Sequence, residues 1–385
     1  MNVLLVSNYY PPEKGAASNR IYAMAKAFKE RGHTVEIVCP LPNYPTGRVF
    51  KEYKGKLYSV KQENGIKISR LWVIPSNSKN KLLRLFSMLS FSLSLSVFML
   101  FRKLPPVVLV QYSPVFVGST AVLWSNLKGR KVVLNISDIW PLAGYEMGLL
   151  KKGFYYKILE GLERFCIRKS NLVLGQSEEI LNHVKGIDKN KPLLLYRNIP
   201  TANSVFTPKQ TNSPEITLFY AGLLGIAQGL LHIVQSIDWP QHVHLHIFGA
   251  GPEAKAIEKI ESPNIHYHGE VTRAELHTHI QKYDCAFVPL VKRIYGSVPS
   301  KIFEYSVLGY PIVYFAGGEG GELVVHHRLG WTIPVGDITA LQSFLNRLDR
   351  KTLDETSGVA VRERAKEAFD FNLQFDELIE NIEEL

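Results

Sequence analysis

Lys301 and Glu304 stand three residues apart in the segment Gly-Ser-Val-Pro-Ser-Lys-Ile-Phe-Glu-Tyr-Ser-Val-Leu-Gly-Tyr-Pro, residues 296–311. On a helix that spacing puts both side chains on one face. Pro299 suits a helix N-terminus, where its missing N–H costs nothing, and Gly309 suits a left-handed C-terminal cap. A helix of about two and a half turns is expected between them. Ahead of it, the backbone N–H groups of Ser297 and Val298 and the positive end of the helix dipole form an anion site. A cation for a diphosphate and a carboxylate for two ribose hydroxyls, one turn apart, make a minimal nucleotide-sugar site. The alternative is a capped surface helix with an i,i+3 ion pair.

Other reactive residue types point to less. His242, His244 and His246 alternate along an apparent strand, which puts them on one face; a metal there is conceivable but nothing else in the pattern asks for one. His33 closes a helix. Cys39, Cys166 and Cys285 lie in or beside apolar segments without metal-like spacing and read as reduced core thiols. The N-terminus, MNVLLVSNYYPP, lacks the charged start and long apolar run of a signal peptide and reads as a first strand.

The elements that must position Lys301 and Glu304 alternate strand and helix. In the first half, 3–10 reads as a strand, 18–33 as an amphipathic helix and 34–41 as a strand, a right-handed βαβ unit. Strands follow at 107–112, 132–137 and 172–177, with a helix over 154–170. The stretch Lys191–Thr207 holds a strand and then a linker. Strands restart at 216–222, 244–251, 264–271, 285–290 and 311–316, and residues 359–385 are helical and acidic. At 385 residues the chain is long for one core and divides into two α/β domains, 1–198 and 199–364, with a C-terminal helix over 365–385. The loop after the first strand has one glycine and no GxGxxG pattern, which disfavours a dinucleotide-dependent dehydrogenase.

The net charge of +10 is unevenly placed. Residues 1–198 hold 30 Lys and Arg against 12 Asp and Glu; residues 199–385 hold 15 against 23. A basic first half implies an anionic partner. No zinc-finger, RRM or KH pattern is present, so a membrane surface and a phosphorylated substrate are favoured over nucleic acid. Residues 82–101, LLRLFSMLSFSLSLSVFMLF, carry no charge after Arg84. Five serines dilute the run, and Lys79, Lys81, Arg84, Arg102 and Lys103 flank it. It reads as a helix buried in the first domain, as a monotopic helix in the headgroup region, or as a short transmembrane span.

Two consecutive Rossmann-like domains with a Pro-Ser-Lys-x-x-Glu-Tyr helix in the second resemble the GT-B glycosyltransferases, family 4. The narrower resemblance is to the O-antigen and capsule branch that includes N-acetyl-fucosamine transferases. It rests on Asn8-Tyr-Tyr-Pro-Pro-Glu13 with Gly15 and Arg20, Arg31-Gly-His33, Pro42-Asn-Tyr-Pro-Thr-Gly47, Asp138-Ile-Trp-Pro141 and Glu146-Met-Gly-Leu149. Tyr220-Ala-Gly222 with Gly225, Gly249-Ala-Gly-Pro252 and Pro299-Ser-Lys-Ile-Phe-Glu304 continue it. The resemblance implies an acceptor-binding N-terminal domain and a nucleotide-sugar-binding C-terminal domain facing each other across a cleft. The C-terminal helix is expected to pack back towards the N-terminal domain.

On that resemblance, Gly15 lets the first loop approach the donor diphosphate, Lys301 neutralises the leaving group and Glu304 takes the ribose. Gly222, Gly225, Ser297 and Val298 complete the diphosphate side, and Gly269 and Val271 present backbone groups to the base. Asp138 orients or deprotonates an acceptor hydroxyl, or merely caps a helix. Arg20 contacts phosphate, or is a surface arginine of a first turn. The broad family has a glutamate where this chain has Gly296, and an arginine and a lysine where it has Leu223 and Gln228. Lys301, Lys292, Arg293 or Arg20 must then carry the diphosphate charge. The implied activity is retaining transfer of a sugar from a nucleotide donor, UDP-linked by expectation, to a polyprenyl-diphosphate-linked saccharide. It would be cytoplasmic and peripheral at the inner membrane face, with no metal or other cofactor. A nucleotide-sugar 2-epimerase on the same fold and a catalytically weakened membrane-docked binding protein are the alternatives.

Overall fold

The computed structural model describes residues 1–78, 80–201, 213–225 and 228–385. Lys79, the side chain of Lys81 and the second half of the 191–207 stretch lie outside the described residues. The chain forms two compact units. Unit 1 comprises Met1–Asn198 and Asn372–Leu385, and unit 2 comprises Ile199–Phe371.

Unit 1 runs β1 (Asn2–Val6), α1 (Ala16–Glu30), β2 (Thr34–Pro40), β3 (Tyr58–Glu63), β4 (Ile66–Leu71), α2 (Lys81–Phe101), β5 (Val107–Gln111) and α3 (Val115–Leu127). It continues through β6 (Lys131–Ile136), α4 (Leu142–Glu146), α5 (Phe154–Lys169), β7 (Leu172–Gly175), α6 (Glu178–Ile187) and β8 (Leu193–Leu195). Its sheet has the order β3-β4-β2-β1-β5-β6-β7-β8. All neighbours are parallel except β3 and β4, which pair antiparallel. Strands such as Val107–Gln111 are buried along their whole length, as expected when helices cover both faces of a parallel sheet.

Unit 2 runs β9 (Ile216–Ala221), α7 (Leu230–Ser236), β10 (Val243–Phe248), α8 (Ala254–Ile257), β11 (Ile265–Tyr267), α9 (Arg273–Ile280), β12 (Cys285–Pro289) and α10 (Lys301–Val307). Then come β13 (Ile312–Phe315), α11 (Glu319–His326), β14 (Gly330–Ile333), α12 (Ile338–Arg347), α13 (Arg350–Glu355) and α14 (Gly358–Ala368); α15 (Phe371–Glu383) belongs almost wholly to unit 1. The unit 2 sheet is parallel, in the order β11-β10-β9-β12-β13-β14. Leu218, Ile247, Phe287 and Val313 build the core on one of its faces.

Several expectations are corrected. The hairpin β3–β4 was absent from the sequence reading, because β3 is almost wholly exposed and lacks an apolar signal. α10 is a seven-residue helix rather than two and a half turns; Pro299 and Ser300 precede it. α1 starts two residues earlier than expected, directly after Gly15. α2 is long and apolar enough to cross a membrane, yet one of its faces is packed within unit 1. Phe91, Leu95 and Met99 on its inner face are at most 1% exposed. Its serines tie it to the chain after β4: Ser90 Oγ accepts from the Ile74 N–H at 2.9 Å and Ser94 Oγ donates to the Trp72 carbonyl at 2.8 Å.

α15 docks on α1. Phe375 packs edge-on against Phe28 at 4.7 Å, Asp376 accepts from Arg31 Nε at 2.5 Å, and Gln374 bonds both the N–H and the carbonyl of Arg197. With α15 included, unit 1 holds 30 Lys and Arg against 17 Asp and Glu, a net +13. The three cysteines are free and buried, as expected of core thiols.

Candidate active site

In both sheets the strand order reverses once, between β1 and β5 in unit 1 and between β9 and β12 in unit 2. A doubly wound sheet opens a crevice at such a reversal, outside the carboxyl ends of its strands, and ligands bind there. The candidate residues therefore divide between two separate crevices.

In unit 2 the loops after β9, β10 and β11 interlock by backbone contact. The N–H of Gly222 bonds the Phe248 carbonyl, that of Leu224 bonds the Ala250 carbonyl, and that of Gly249 bonds the Gly269 carbonyl at 2.7 Å. A Cβ on Gly249 would lie 1.8 Å from the Gly222 oxygen, so only glycine permits this approach. Lys301, in the first turn of α10, lies across Gly222: a Cβ at position 222 would sit 2.9 Å from Lys301 Cε and 3.2 Å from Nζ. Lys301 Nζ donates to Tyr305 Oη at 3.1 Å, and Tyr305 Oη donates to the Ala221 carbonyl at 3.2 Å. The lysine is thus held over the end of β9 by a buried tyrosine on its own helix.

Glu304, half-buried, pairs with Arg273 Nη2 at 3.2 Å. The i,i+3 ion pair with Lys301 considered above is not formed. Arg273 was missed in the sequence, since only folding brings the start of α9 beside α10. Arg293, exposed in the loop after β12, lies against Gly318: a Cβ there would be 3.0 Å from its Nε. Gly225 lies beside Gln228, whose Oε1 is buried without a hydrogen-bond partner among the described residues. Gly269 has a positive φ of 73° with open space where a side chain would project, and Val271 follows it, half-buried, just before Thr272 caps α9. The anion site expected of Ser297 and Val298 is reduced. The Ser297 N–H donates to the Ile294 carbonyl at 3.1 Å, and the Val298 side chain is buried.

The histidines do not gather as a trio. His242 faces the Leu348 carbonyl at 2.9 Å, His244 meets His266 at 3.3 Å, and His246 meets His268 at 3.0 Å. The rings of His246, His266, His268 and Tyr283 stack on the sheet face opposite the aliphatic core. Burial, aided by the neighbouring imidazoles, lowers the pKa of His246 to about 3.

In unit 1, Gly15 is the N-cap of the fifteen-residue α1, with φ of 146° and open space where a side chain would project. Arg20 is no surface arginine. It is 4% exposed; Nη2 donates to Asn135 Oδ1 and to the Tyr196 carbonyl, each at 2.7 Å, and its plane lies over the Tyr196 ring. Burial lowers its pKa to about 10, against the opposing pull of Tyr196 and Asp138. It braces α1 to β6 and to the chain after β8, while its Nε has no partner among the described residues. Asp138, after β6, has no side-chain hydrogen bond among the described residues. Burial raises its pKa, with the Arg20 charge opposing. Such a carboxyl is poised to take a proton.

The sequence reading quoted Glu13 in its opening motif without giving it a role and passed over Arg70; no periodic pattern gives a signal for either. Glu13 is buried; Oε1 accepts from the N–H groups of Asn43 and Tyr44 at 2.7 and 2.8 Å, while Oε2 has no partner among the described residues. Arg70, 1% exposed, donates to the Pro11 carbonyl and lies over the ring of Tyr53. Together they fix the loop that leads from β1 to Gly15.

Two Rossmann-like units, each with its crevice at a strand reversal, define the GT-B class of fold. Comparison with known proteins agrees. Residues 15–195 match the glycosyl transferase 4-like domain, and residues 217–350 match the glycosyl transferases group 1 domain. The chain belongs to the GT-B glycosyltransferases. Among solved structures it is similar to sucrose-phosphate synthase from Thermosynechococcus elongatus, with a TM-score of 0.74 at 13% identity, covering 100% of this chain and 98% of that one. It is similar to Anabaena Alr3699/HepE in complex with UDP-glucose, with a TM-score of 0.67 at 13% identity and 100% of both chains covered. It is also similar to the lipopolysaccharide outer core galactosyltransferase WaaB, with a TM-score of 0.62 at 16% identity and 99% of both chains covered. No curated protein matches the chain.

Proposed function

We propose that this glycosyltransferase moves a sugar, with retention at the anomeric carbon, from a UDP-sugar to a polyprenyl-diphosphate-linked saccharide in bacterial O-antigen or capsule assembly. The observation that carries the donor half is Lys301 held across Gly222 at the strand reversal of unit 2, with Glu304 one turn further along α10. The lysine neutralises charge that develops on the diphosphate as the glycosidic C–O bond breaks. Glu304 exchanges its contact with Arg273 for the two ribose hydroxyls. Arg293, reaching over Gly318, supplies a second cation in place of those missing at Leu223 and Gln228. Gly269 and Val271 offer backbone groups to the base.

The acceptor half rests on unit 1. Asp138 orients the acceptor hydroxyl and takes its proton as the new C–O bond forms. Arg20 holds the strand ends around Asp138 and tempers its basicity. The N-terminus of α1, opened by Gly15, is suited to a phosphate group. No protein nucleophile is required, and no metal is proposed. UDP is favoured because a structural neighbour of full coverage is a UDP-glucose complex, and a polysaccharide acceptor because another is a lipopolysaccharide transferase. The protein acts in the cytoplasm, peripheral at the inner face of the membrane.

A thermal-shift series against UDP-, GDP- and dTDP-sugars tests the donor. A ligand that binds only the folded state raises stability by RT ln(1+[L]/Kd). UDP-sugars are expected to give the largest shift, and a shift with another nucleotide alone overturns the assignment of the base.

A further inference from the structure

We propose that the outer face of α2 inserts into the interfacial region of an anionic bilayer and lays unit 1 on the membrane with α2 parallel to its plane. The inference rests on the lipid-linked acceptor proposed above for its purpose, and on the geometry of α2 for its content.

Leu82, Phe86, Leu89, Leu93, Val97 and Leu100 are all exposed, from 41% to 64%. At 100° per residue they fall within an arc of about 80°. The opposite face carries Phe91, Leu95 and Met99, fully enclosed by the unit. One side of the helix is therefore core, and the other is an uninterrupted apolar stripe about 30 Å long at 1.5 Å per residue. No charged side chain lies in it. Phe101, 80% exposed, extends it at the C-terminal end. Leu123 and Leu127, exposed on the adjoining α3, broaden it. Scattered exposed apolar residues need no explanation, but a contiguous stripe marks an interaction surface.

Two features fit the stripe to lipid. The serines of α2 spend their hydroxyl protons on backbone carbonyls: Ser92 donates to Met88 and Ser96 to Ser92, each at 2.9 Å, and the Ser94 proton is shared between the Trp72 carbonyl at 2.8 Å and the Ser90 carbonyl at 3.1 Å. They need no water to be satisfied, so they do not oppose insertion. Lys103, past the end of the helix, is exposed and without an ion pair among the described residues; Arg84, near the start, is likewise exposed but on the side of the helix turned away from the stripe. Arg102 does not contribute, because Glu36 neutralises it, and Lys128 instead caps the Leu100 and Arg102 carbonyls.

The same charges argue against a second copy as the occupant. Pairing two stripes would bring together two units of net +13 each. Anionic headgroups meet the same unit, and Lys103 at the end of the stripe, with opposite charge. Apolar insertion is not screened, so salt should weaken binding without abolishing it.

The test is flotation of the full chain with vesicles of phosphatidylcholine and phosphatidylglycerol, at low salt and at about 0.5 M NaCl, where charges are screened within a few ångströms. The wild type is expected to float at low salt and in part at high salt. The double variant L89E/L93E should partition at least ten-fold more weakly, while Val359→Glu on α14, equally exposed, floats like the wild type. In Leu93→Trp, tryptophan emission should shift to the blue on adding vesicles and be quenched by brominated acyl chains. Unchanged flotation of L89E/L93E overturns the proposal, and so does a Leu93→Trp spectrum indifferent to vesicles. Light scattering that shows a wild-type dimer broken by L89E/L93E, with no flotation, assigns the stripe to a second copy and overturns it as well. UDP thermal shifts on the same variants are expected to match the wild type. Their loss would fault the fold or the donor reading rather than the membrane face.

Discussion

The two strand reversals of this chain present the same topology and use a cation in opposite ways. In unit 2, Lys301 lies half-buried across a glycine at the C-terminal end of the interior strand β9, held by one tyrosine hydroxyl. In unit 1, Arg20 is enclosed, and its guanidinium bonds a side chain and a carbonyl of the fold itself. The lesson is that position in the topology does not decide what a charged residue does. Its hydrogen-bond partners do. A cation bonded firmly to distant parts of the fold orders the scaffold, although Arg20 Nε keeps no partner among the described residues; one with a single hydroxyl partner beside a glycine is available to a ligand.

The largest expected effect would break that comparison if it failed. Lys301→Ala should lower kcat by about 10²–10³, the scale seen when one preorganised charge stabiliser is removed, with little change in the urea midpoint. Steady-state turnover with a UDP-sugar and equilibrium unfolding measure the two sides. Near-normal turnover would move the role to Arg293. Arg20→Leu should show the reverse pattern. It strips partners from Asn135 and the Tyr196 carbonyl and should cost about 3 kcal/mol of stability. UDP affinity should remain near wild type under conditions where the variant is folded. A variant of full stability that no longer binds UDP would place Arg20 on the donor.

Glu304→Ala sharpens the comparison within unit 2. Two charge-assisted hydrogen bonds to ribose are lost, but the existing contact with Arg273 is given up in the wild type too. Affinity for UDP should therefore fall by about 1.5–3 kcal/mol, read by titration calorimetry. Arg273→Ala should leave affinity unchanged or slightly improved, since it competes for the same carboxylate. The smallest effect concerns pH. His246 is held neutral in the folded state, so the unfolded chain binds the extra proton below its ordinary pKa of about 6.5. Stability should fall as pH drops from about 6.5 towards 3, and His246→Phe should flatten that slope. Parallel urea curves for the two proteins at pH 7.5 and 5 would contradict it.

Much of this comparison was legible in the sequence and some of it could not be. Unbroken apolar runs such as Val107–Gln111 announced buried parallel strands, and glycines at 15, 222 and 269 marked positions where a chain must turn or approach closely. Lys301 and Glu304 were found because their spacing is local. The burial of Arg20, against the surface alternative, was not legible because its partners lie at Asn135 and Tyr196, more than a hundred residues away, and no local pattern encodes them. Arg273 and the histidine stack escaped for the same reason. The short α10 was overestimated because Pro299 and Gly309 bound the segment without dictating how much of it is helical. For α2 the composition admitted core, interface or span; only packing showed that one face is core and the other is free.

The most direct test of the central claim, that the strand reversal of unit 2 is the donor site, is calorimetric titration of UDP into three proteins. The wild type should bind, Lys301→Ala should bind at least ten-fold more weakly, and Asp138→Asn in unit 1 should bind like the wild type. Loss of binding in Asp138→Asn with full binding in Lys301→Ala would contradict the account.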